Sequence, residues 1–139
     1  YILDVATRKR RRLPTNSDRD TFPYWSPRGD WITFTSQRDG DYEIYRIRPD
    51  GTGLARLTHA PGHDAHASIS PDGEWIAFAT SRQGFKDEAL GLVVGARPPP
   101  FQSYGEIAVM RIDGSDMHLL TDNSAEEGVP VWVPRVRLP

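Results

Sequence analysis

The chain has 139 residues, with 17 basic and 19 acidic side chains and a net charge of −2. This near balance provides no general attraction to nucleic acid, and no apolar run approaches the roughly 20 residues that span a bilayer. Since cysteine is absent, disulfides and thiol chemistry are excluded. We therefore expect neither a nucleic-acid partner nor a membrane span.

Four short strands follow one another between residues 23 and 58. Each carries β-branched or aromatic residues among polar ones, and each is bounded by a turn rich in Gly, Pro or Asp. The Asp39-Gly40 pair in particular suits a tight hairpin. The predicted strands cover residues 23–26, 31–35, 43–48 and 54–58.

The same unit recurs further along the chain. Trp25 matches Ile69 at an offset of 69 − 25 = 44 residues, and Trp132 follows Ile69 by 63 residues because of an insertion of 63 − 44 = 19. Four strands in roughly 40–45 residues is typical of a propeller blade, whereas the alternative, a β-sandwich, needs no fixed repeat. The sequence therefore predicts an all-β fold, a β-propeller fragment of four-stranded antiparallel blades.

We interpret residues 1–139 as a single partial propeller domain and divide it into blades at the repeat boundaries. Two complete blades and two partial ones do not close a ring, since propellers have 4–8 blades. We expect the remaining blades to precede Tyr1, because the tail after Trp132 reads like a natural C-terminus; a ring assembled from several protomers is the alternative. The predicted parts are 1–15 (the end of one blade), 20–60 (a blade), 64–121 (a blade with an insertion at 84–105) and 127–134 (the first strand of the next).

The repeat contains five short motifs at fixed places: Trp25-Ser26-Pro27, Ser36-Gln37-Arg38-Asp39-Gly40, Glu43-Ile44-Tyr45, Asp50-Gly51 and Arg56-Leu57-Thr58. These motifs resemble those of TolB-type propellers, and the resemblance covers nearly the whole chain. The resemblance implies a six-bladed propeller and a periplasmic or other extracytoplasmic location.

It also implies a non-catalytic module that binds a protein, a peptide or another ligand. The alternative is the propeller portion of an enzyme, either a prolyl-oligopeptidase-like hydrolase or a metal-dependent sugar lyase. No nucleophile elbow, phosphate-binding loop or dinucleotide fingerprint supports catalysis by this chain itself.

One acidic residue precedes the first strand of each blade, always five residues before the repeated tryptophan position. These residues are Asp20, Asp64 and Glu127. Because the first strand of a blade lines the central channel, we expect the three carboxylates to surround one channel mouth, where they would bind a cation or a basic group. Alternatively, each accepts backbone N–H bonds within its own turn.

Histidines cluster around the middle member of this set. His63, Asp64 and His66 lie within four residues and carry ligand types that zinc and manganese accept. We interpret His63 and His66 as further candidates at the channel mouth, and the trio as a candidate site for a divalent metal; surface histidines with ordinary hydrogen bonds are the alternative. The sequence suggests no other cofactor.

The insertion at 84–105 replaces a hairpin turn. Long loops without secondary structure are uncommon unless they have a function, so we predict contacts with a partner through Phe85, Lys86, Leu92 and Phe101. The alternative is that the loop packs on a neighbouring blade.

Overall fold

The computed structural model describes residues 1–82, 105–122 and 127–133. These residues form strands, turns and loops but no helix, and none of them belongs to a helix that could cross a membrane. The predicted fold class, an all-β arrangement of antiparallel four-stranded sheets, is confirmed.

Within the described ranges, ten strands form three antiparallel sheets in the order of the chain. A short pair, β1 with β2, comes first; β3 to β6 and β7 to β10 then form one four-stranded sheet each. We refer to these two sheets as the first and second blade. The strands are β1 (Ile2–Leu3), β2 (Arg10–Arg11), β3 (Asp20–Trp25), β4 (Ile32–Ser36), β5 (Glu43–Ile47), β6 (Ala55–Arg56), β7 (Asp64–Ile69), β8 (Trp75–Thr80), β9 (Glu106–Arg111) and β10 (His118–Leu119).

The first strand of each blade is longer than its sequence pattern suggests. The alternation predicts a strand over residues 23–26, but β3 begins at Asp20. Its pairing with β4 shifts between Thr21 and Tyr24, so an extra residue interrupts the period of two that the prediction requires. β7 shows the same shift between Ala65 and Ser68.

The insertion joins β8 to β9, whose ends pair in register at Thr80 and Glu106. Phe85, Lys86, Leu92 and Phe101 lie outside the described residues, so their contacts with a partner stay a prediction.

Among the described residues, buried apolar side chains form two clusters between sheets. The larger joins Ile44 and Leu57 of the first blade to residues of the second, including the fully buried Phe78. The smaller joins Leu13 and Ile2 to the other face of the first blade. Complete burial of a side chain such as Phe78 contributes about 1.5–3 kcal/mol, so the blades stabilise one another face to face.

A buried glutamate and a threonine link the third and fourth strands within each blade. The Thr58 hydroxyl donates to Glu43, which is 1% exposed, and accepts the N–H of Ile44 at 2.9 Å. In the second blade the Thr121 hydroxyl donates to Glu106 at 2.7 Å and accepts the N–H of Ile107 at 2.8 Å. This link explains why the repeat keeps Glu and Thr at matching positions.

We predict that Thr58→Val lowers the free energy of unfolding by about 1–3 kcal/mol, because a buried carboxylate and a backbone N–H both lose a partner. The matched control is Thr52→Val, since the exposed Thr52 hydroxyl donates only to Asp50; we expect a loss within about 0.5 kcal/mol there. Urea unfolding of both variants measures the difference, and equal losses would contradict a special role for the buried link.

Candidate functional site

The first strands of successive blades meet around a small cavity. β3, β7 and the segment 127–133 line an open depression of about 230 Å³, which we call the inner-strand pocket. Because first strands line the central channel of a propeller, we expect this pocket to face that channel in a complete ring. It is lined by Phe22, Pro23, Tyr24, His66, Ala67, Ser68, Val129, Pro130 and Val131.

Two rings at equivalent positions dominate the pocket. Phe22 and His66 are 66 − 22 = 44 residues apart, and both have positive φ, 48° and 58° respectively. Their ring centroids lie 4.1 Å apart with the planes tilted by 42°. Each residue sits at the register shift of its strand, where a bulge re-aims the side chain.

The backbone at these two positions is strained. Non-glycine residues rarely adopt positive φ, and the left-handed region costs about 1–2 kcal/mol per residue. Such strain persists where the surroundings enforce it, and it clusters at functional sites. The repetition of the same strained conformation in both blades makes the pocket a candidate site.

The pocket is electrically neutral at neutral pH. Burial lowers the pKa of His66 from its ordinary value, because desolvation disfavours the imidazolium. The other side chains that line the pocket carry no charge. The pocket therefore suits an uncharged apolar or aromatic group rather than a cation.

The structure pairs two of the predicted channel-mouth carboxylates with arginines. Asp20 binds Arg38 at 2.7 Å, and Asp64, which is 1% exposed, binds Arg82 at the same distance. Burial raises the pKa of Asp64, while Arg82 opposes the shift. These two carboxylates do not line the inner-strand pocket. Their partners are arginine side chains, whereas the alternative interpretation of the sequence expected backbone N–H groups of the turn.

Glu127 lies at the joint between the second blade and the segment 127–133. Its N–H donates to the Gly105 carbonyl at 2.8 Å, and its carbonyl accepts the N–H of Gly105 at 3.1 Å. The corresponding bond one blade earlier runs from the N–H of Asp64 to the Tyr42 carbonyl at 2.7 Å. These backbone bonds connect each blade to the next.

The candidate metal ligands have three different surroundings. Nδ1 of His63 accepts the N–H of Tyr42 at 3.3 Å, Asp64 binds Arg82, and His66 packs against the tilted ring of Phe22. Within the described ranges, no three His, Asp or Glu side chains are grouped so that they could hold a metal ion. Of this trio, only His66 reaches the inner-strand pocket.

Sequence reasoning missed Phe22 and Tyr24 as members of the site. The signal was present, since Phe22 occupies the same repeat position as His66. The contact between Phe22 and His66, however, depends on two bulges that no residue pattern in the strands predicts.

The chain is similar to known propellers in sequence and in structure. Residues 1–94 match the family of TolB beta propeller domains. The chain is 38% identical over 58 residues to an uncharacterised protein of Agrobacterium fabrum, and 38% identical over 53 residues to the Tol-Pal system protein TolB of a Wolbachia strain. These matches cover 42% and 37% of the chain.

Two solved structures share the fold over 91% of the chain. A protein of Agrobacterium tumefaciens assigned as TolB superimposes with a TM-score of 0.67 and 25% identity. TolB of Acinetobacter baumannii gives a TM-score of 0.61 and 27% identity. The chain spans only part of each similar protein, namely 20% and 13% of the two sequence relatives and 42% and 27% of the two structures.

We predict that the glycine and alanine variants have opposite orders of stability at Phe22 and at Tyr24, two positions of β3. Phe22→Gly will be more stable than Phe22→Ala by about 1 kcal/mol, because glycine accepts positive φ without strain. At Tyr24, which is outside the positive-φ set, glycine will be less stable than alanine by about 0.5–1 kcal/mol. Urea unfolding of the four variants tests the strain, and the same ranking at both positions would disprove it.

We also predict that the buried ion pair is much more sensitive than an exposed one. Arg82→Met leaves the carboxylate of Asp64 buried without its cation, which costs about 3–5 kcal/mol. Arg28→Met removes an ion pair with Glu74 in which both side chains are half exposed, and we expect less than about 1 kcal/mol. Thermal unfolding of both variants measures this contrast; comparable losses would show that Asp64 needs no charged partner.

Proposed function

The chain belongs to the family of TolB beta propeller domains, and from this premise we propose that it is a binding module whose inner-strand pocket receives an extended segment of a protein or peptide partner. The pair of Phe22 and His66 is the observation that carries the proposal. Both side chains are held in a costly backbone conformation, and their rings pack against each other at a tilt. Strained backbone clusters at functional sites, which supports a functional role for this pair.

The chemistry of the pocket supports a peptide as the ligand. Exposed aromatic side chains dominate binding energies at interfaces, and Phe22 and Tyr24 are both exposed at the pocket. The neutral lining favours an apolar side chain of the partner. The inner edge of β3, which is exposed from Thr21 to Trp25, offers backbone groups to which an extended segment can add as a strand.

The relatives suggest the setting in which such a module works. One of them is named as a protein of the Tol-Pal system, which supports a role in an assembly of several proteins. We extend the proposal to an extracytoplasmic location, in keeping with the family resemblance of the repeat. The other channel-mouth candidates, Asp20, Asp64 and Glu127, then act by fixing the strands that carry the pocket.

Selection of displayed random peptides against the protein tests the proposal. We predict that enriched peptides bind at least about tenfold more weakly to Phe22→Gly and to His66→Asn, since loss of a central aromatic contact costs about 2 kcal/mol. Glycine and asparagine both tolerate positive φ, so these variants keep the bulges. Fluorescence anisotropy with labelled peptides gives the dissociation constants.

Leu54→Ala is the matched control, because Leu54 is exposed on the turn before β6 and outside the pocket. We expect its affinity for the peptides to remain within about twofold. Peptides that bind the two pocket variants as tightly as the unchanged protein would place docking elsewhere and contradict the proposal.

A further inference from the structure

Five consecutive cationic residues lie at an outer edge of the structure, and we call residues 8–12 the basic edge. All five are exposed, and they are Arg8, Lys9, Arg10, Arg11 and Arg12. Arg10 and Arg11 form β2, which within the described residues pairs with β1 alone and leaves its other edge unpaired. None of the five residues lines the inner-strand pocket. The basic edge is therefore a separate surface of the chain.

The repeat does not require positive charge at this edge. β2, β6 and β10 are the outermost strands of their sheets. Arg10 has the repeat position of Leu54 and Met117, at offsets of 54 − 10 = 44 and 117 − 54 = 63 residues. Leu54 and Met117 belong to four-stranded blades, and both are 41% exposed. Exposure is thus a property of this position in each blade, whereas the clustered charge distinguishes β2 from β6 and β10.

The charges of the basic edge are not neutralised within the described residues. No ion pair of that part of the chain includes residues 8–12, although five other arginines each bind a carboxylate. These five are Arg28, Arg38, Arg56, Arg82 and Arg111. The carboxylates of Asp4 and Asp50 lie in neighbouring turns, but each accepts a backbone N–H of its own turn at 2.8 Å. Because successive like charges repel one another, an anionic partner would relieve this repulsion.

Two local features hold the basic edge in place. The guanidinium of Arg11 donates to the Pro49 carbonyl, which ties β2 to the first blade. Arg8 has a φ of 56°, in the left-handed region that residues other than glycine rarely adopt. The equivalent turn between β5 and β6 has glycines at positive φ, Gly51 and Gly53. A charged residue thus occupies a strained turn where the next blade uses glycine, and such strain clusters at functional sites.

A narrow, extended partner suits the basic edge better than a broad anionic surface. An unpaired strand edge offers backbone groups to an added strand, and opposite charges on paired strands attract. The cations repel a second copy of β2, so they select an acidic strand. Without residues 8–12 the chain has a net charge of −2 − 5 = −7. A membrane would also meet these other, mostly negative regions, whereas a single strand contacts the basic edge alone.

We propose that the basic edge is a second binding surface, which receives an acidic segment of a partner protein as an added strand beside β2. Alternate residues of an extended segment place their side chains on the same face. Carboxylates at every second position of the partner can therefore face the cations of residues 8–12, while its backbone pairs with the open edge of β2.

The probe is a labelled peptide of about eight residues in which glutamate and valine alternate. We expect the peptide to bind the protein at low ionic strength and to bind more weakly as salt is added. The combined variant Arg8→Gln, Lys9→Gln and Arg10→Gln should bind it at least about tenfold more weakly, because opposite charges no longer meet. Fluorescence anisotropy gives the dissociation constants.

A matched control removes three cations from exposed positions elsewhere, namely Arg19→Gln, Arg28→Gln and Arg111→Gln. Its net charge equals that of the first triple variant, so we expect its affinity to remain within about threefold of the unchanged protein. Urea midpoints of both triple variants verify that each is folded. Equal affinities of the two folded variants for the peptide would overturn the proposal, because overall charge would then explain the binding.

Two further probes separate strand addition from attraction between charges alone. The same peptide with N-methyl groups on two consecutive central residues keeps its charge but cannot pair fully along either edge, and we expect at least about tenfold weaker binding. Equal binding of the methylated peptide would overturn strand addition. Vesicles of phosphatidylglycerol and phosphatidylcholine provide the other probe. If they bind the protein through residues 8–12 while the peptide does not, the partner is a membrane and the proposal is wrong.

Discussion

The joint between the two described blades depends on Asp64, which contacts both its own blade and the preceding one. The carboxylate of Asp64 is buried against Arg82 of its own blade, and its N–H donates to the Tyr42 carbonyl of the blade before. A buried carboxylate is tolerated only with a well-placed partner, so the position of β7 is fixed relative to β8 and to the preceding blade at once. The apolar cluster around Phe78 forms because this geometry brings the two sheets face to face.

The inner-strand pocket relies on this rigidity. The bulges that hold Phe22 and His66 at positive φ each lie close to an aspartate bound by an arginine, Asp20 with Arg38 and Asp64 with Arg82. A strained segment between loose ends would relax, whereas one anchored at its start keeps its side chain aimed. The ion pairs therefore serve the proposed function indirectly, by maintaining the two rings in contact.

The sequence predicted the blades well because blades are local. The order of strands and their antiparallel pairing follow from alternation and from turn residues that act over a few positions. The partners of Asp20 and Asp64 were harder to foresee. Each arginine lies 18 residues after its aspartate, in a motif that predicts a turn. It comes close to the start of the blade only because β4 or β8 runs antiparallel to the first strand.

The pocket could not be predicted for a different reason. Phe22 and His66 meet across two blades, and their contact depends on backbone bulges. Bulges leave little trace in composition, since neither residue is a glycine. The histidine cluster pointed to the correct neighbourhood, but it suggested ligands for a metal, whereas the fold distributes its members among an aromatic ring, an arginine and a backbone N–H.

The link between threonine and glutamate has an evolutionary consequence. It closes each blade between the third and fourth strands, using groups that lie 15 residues apart in both blades. In both blades the pairing of the second and third strands ends at equivalent residues, Ser36 with Glu43 and Thr80 with Glu106. The connection between these strands is nevertheless 19 residues longer in the second blade. Strand alignment is thus set by groups on the strands themselves. The connecting turn is free to lengthen and diverge, so new binding specificities can arise there without a redesign of the scaffold.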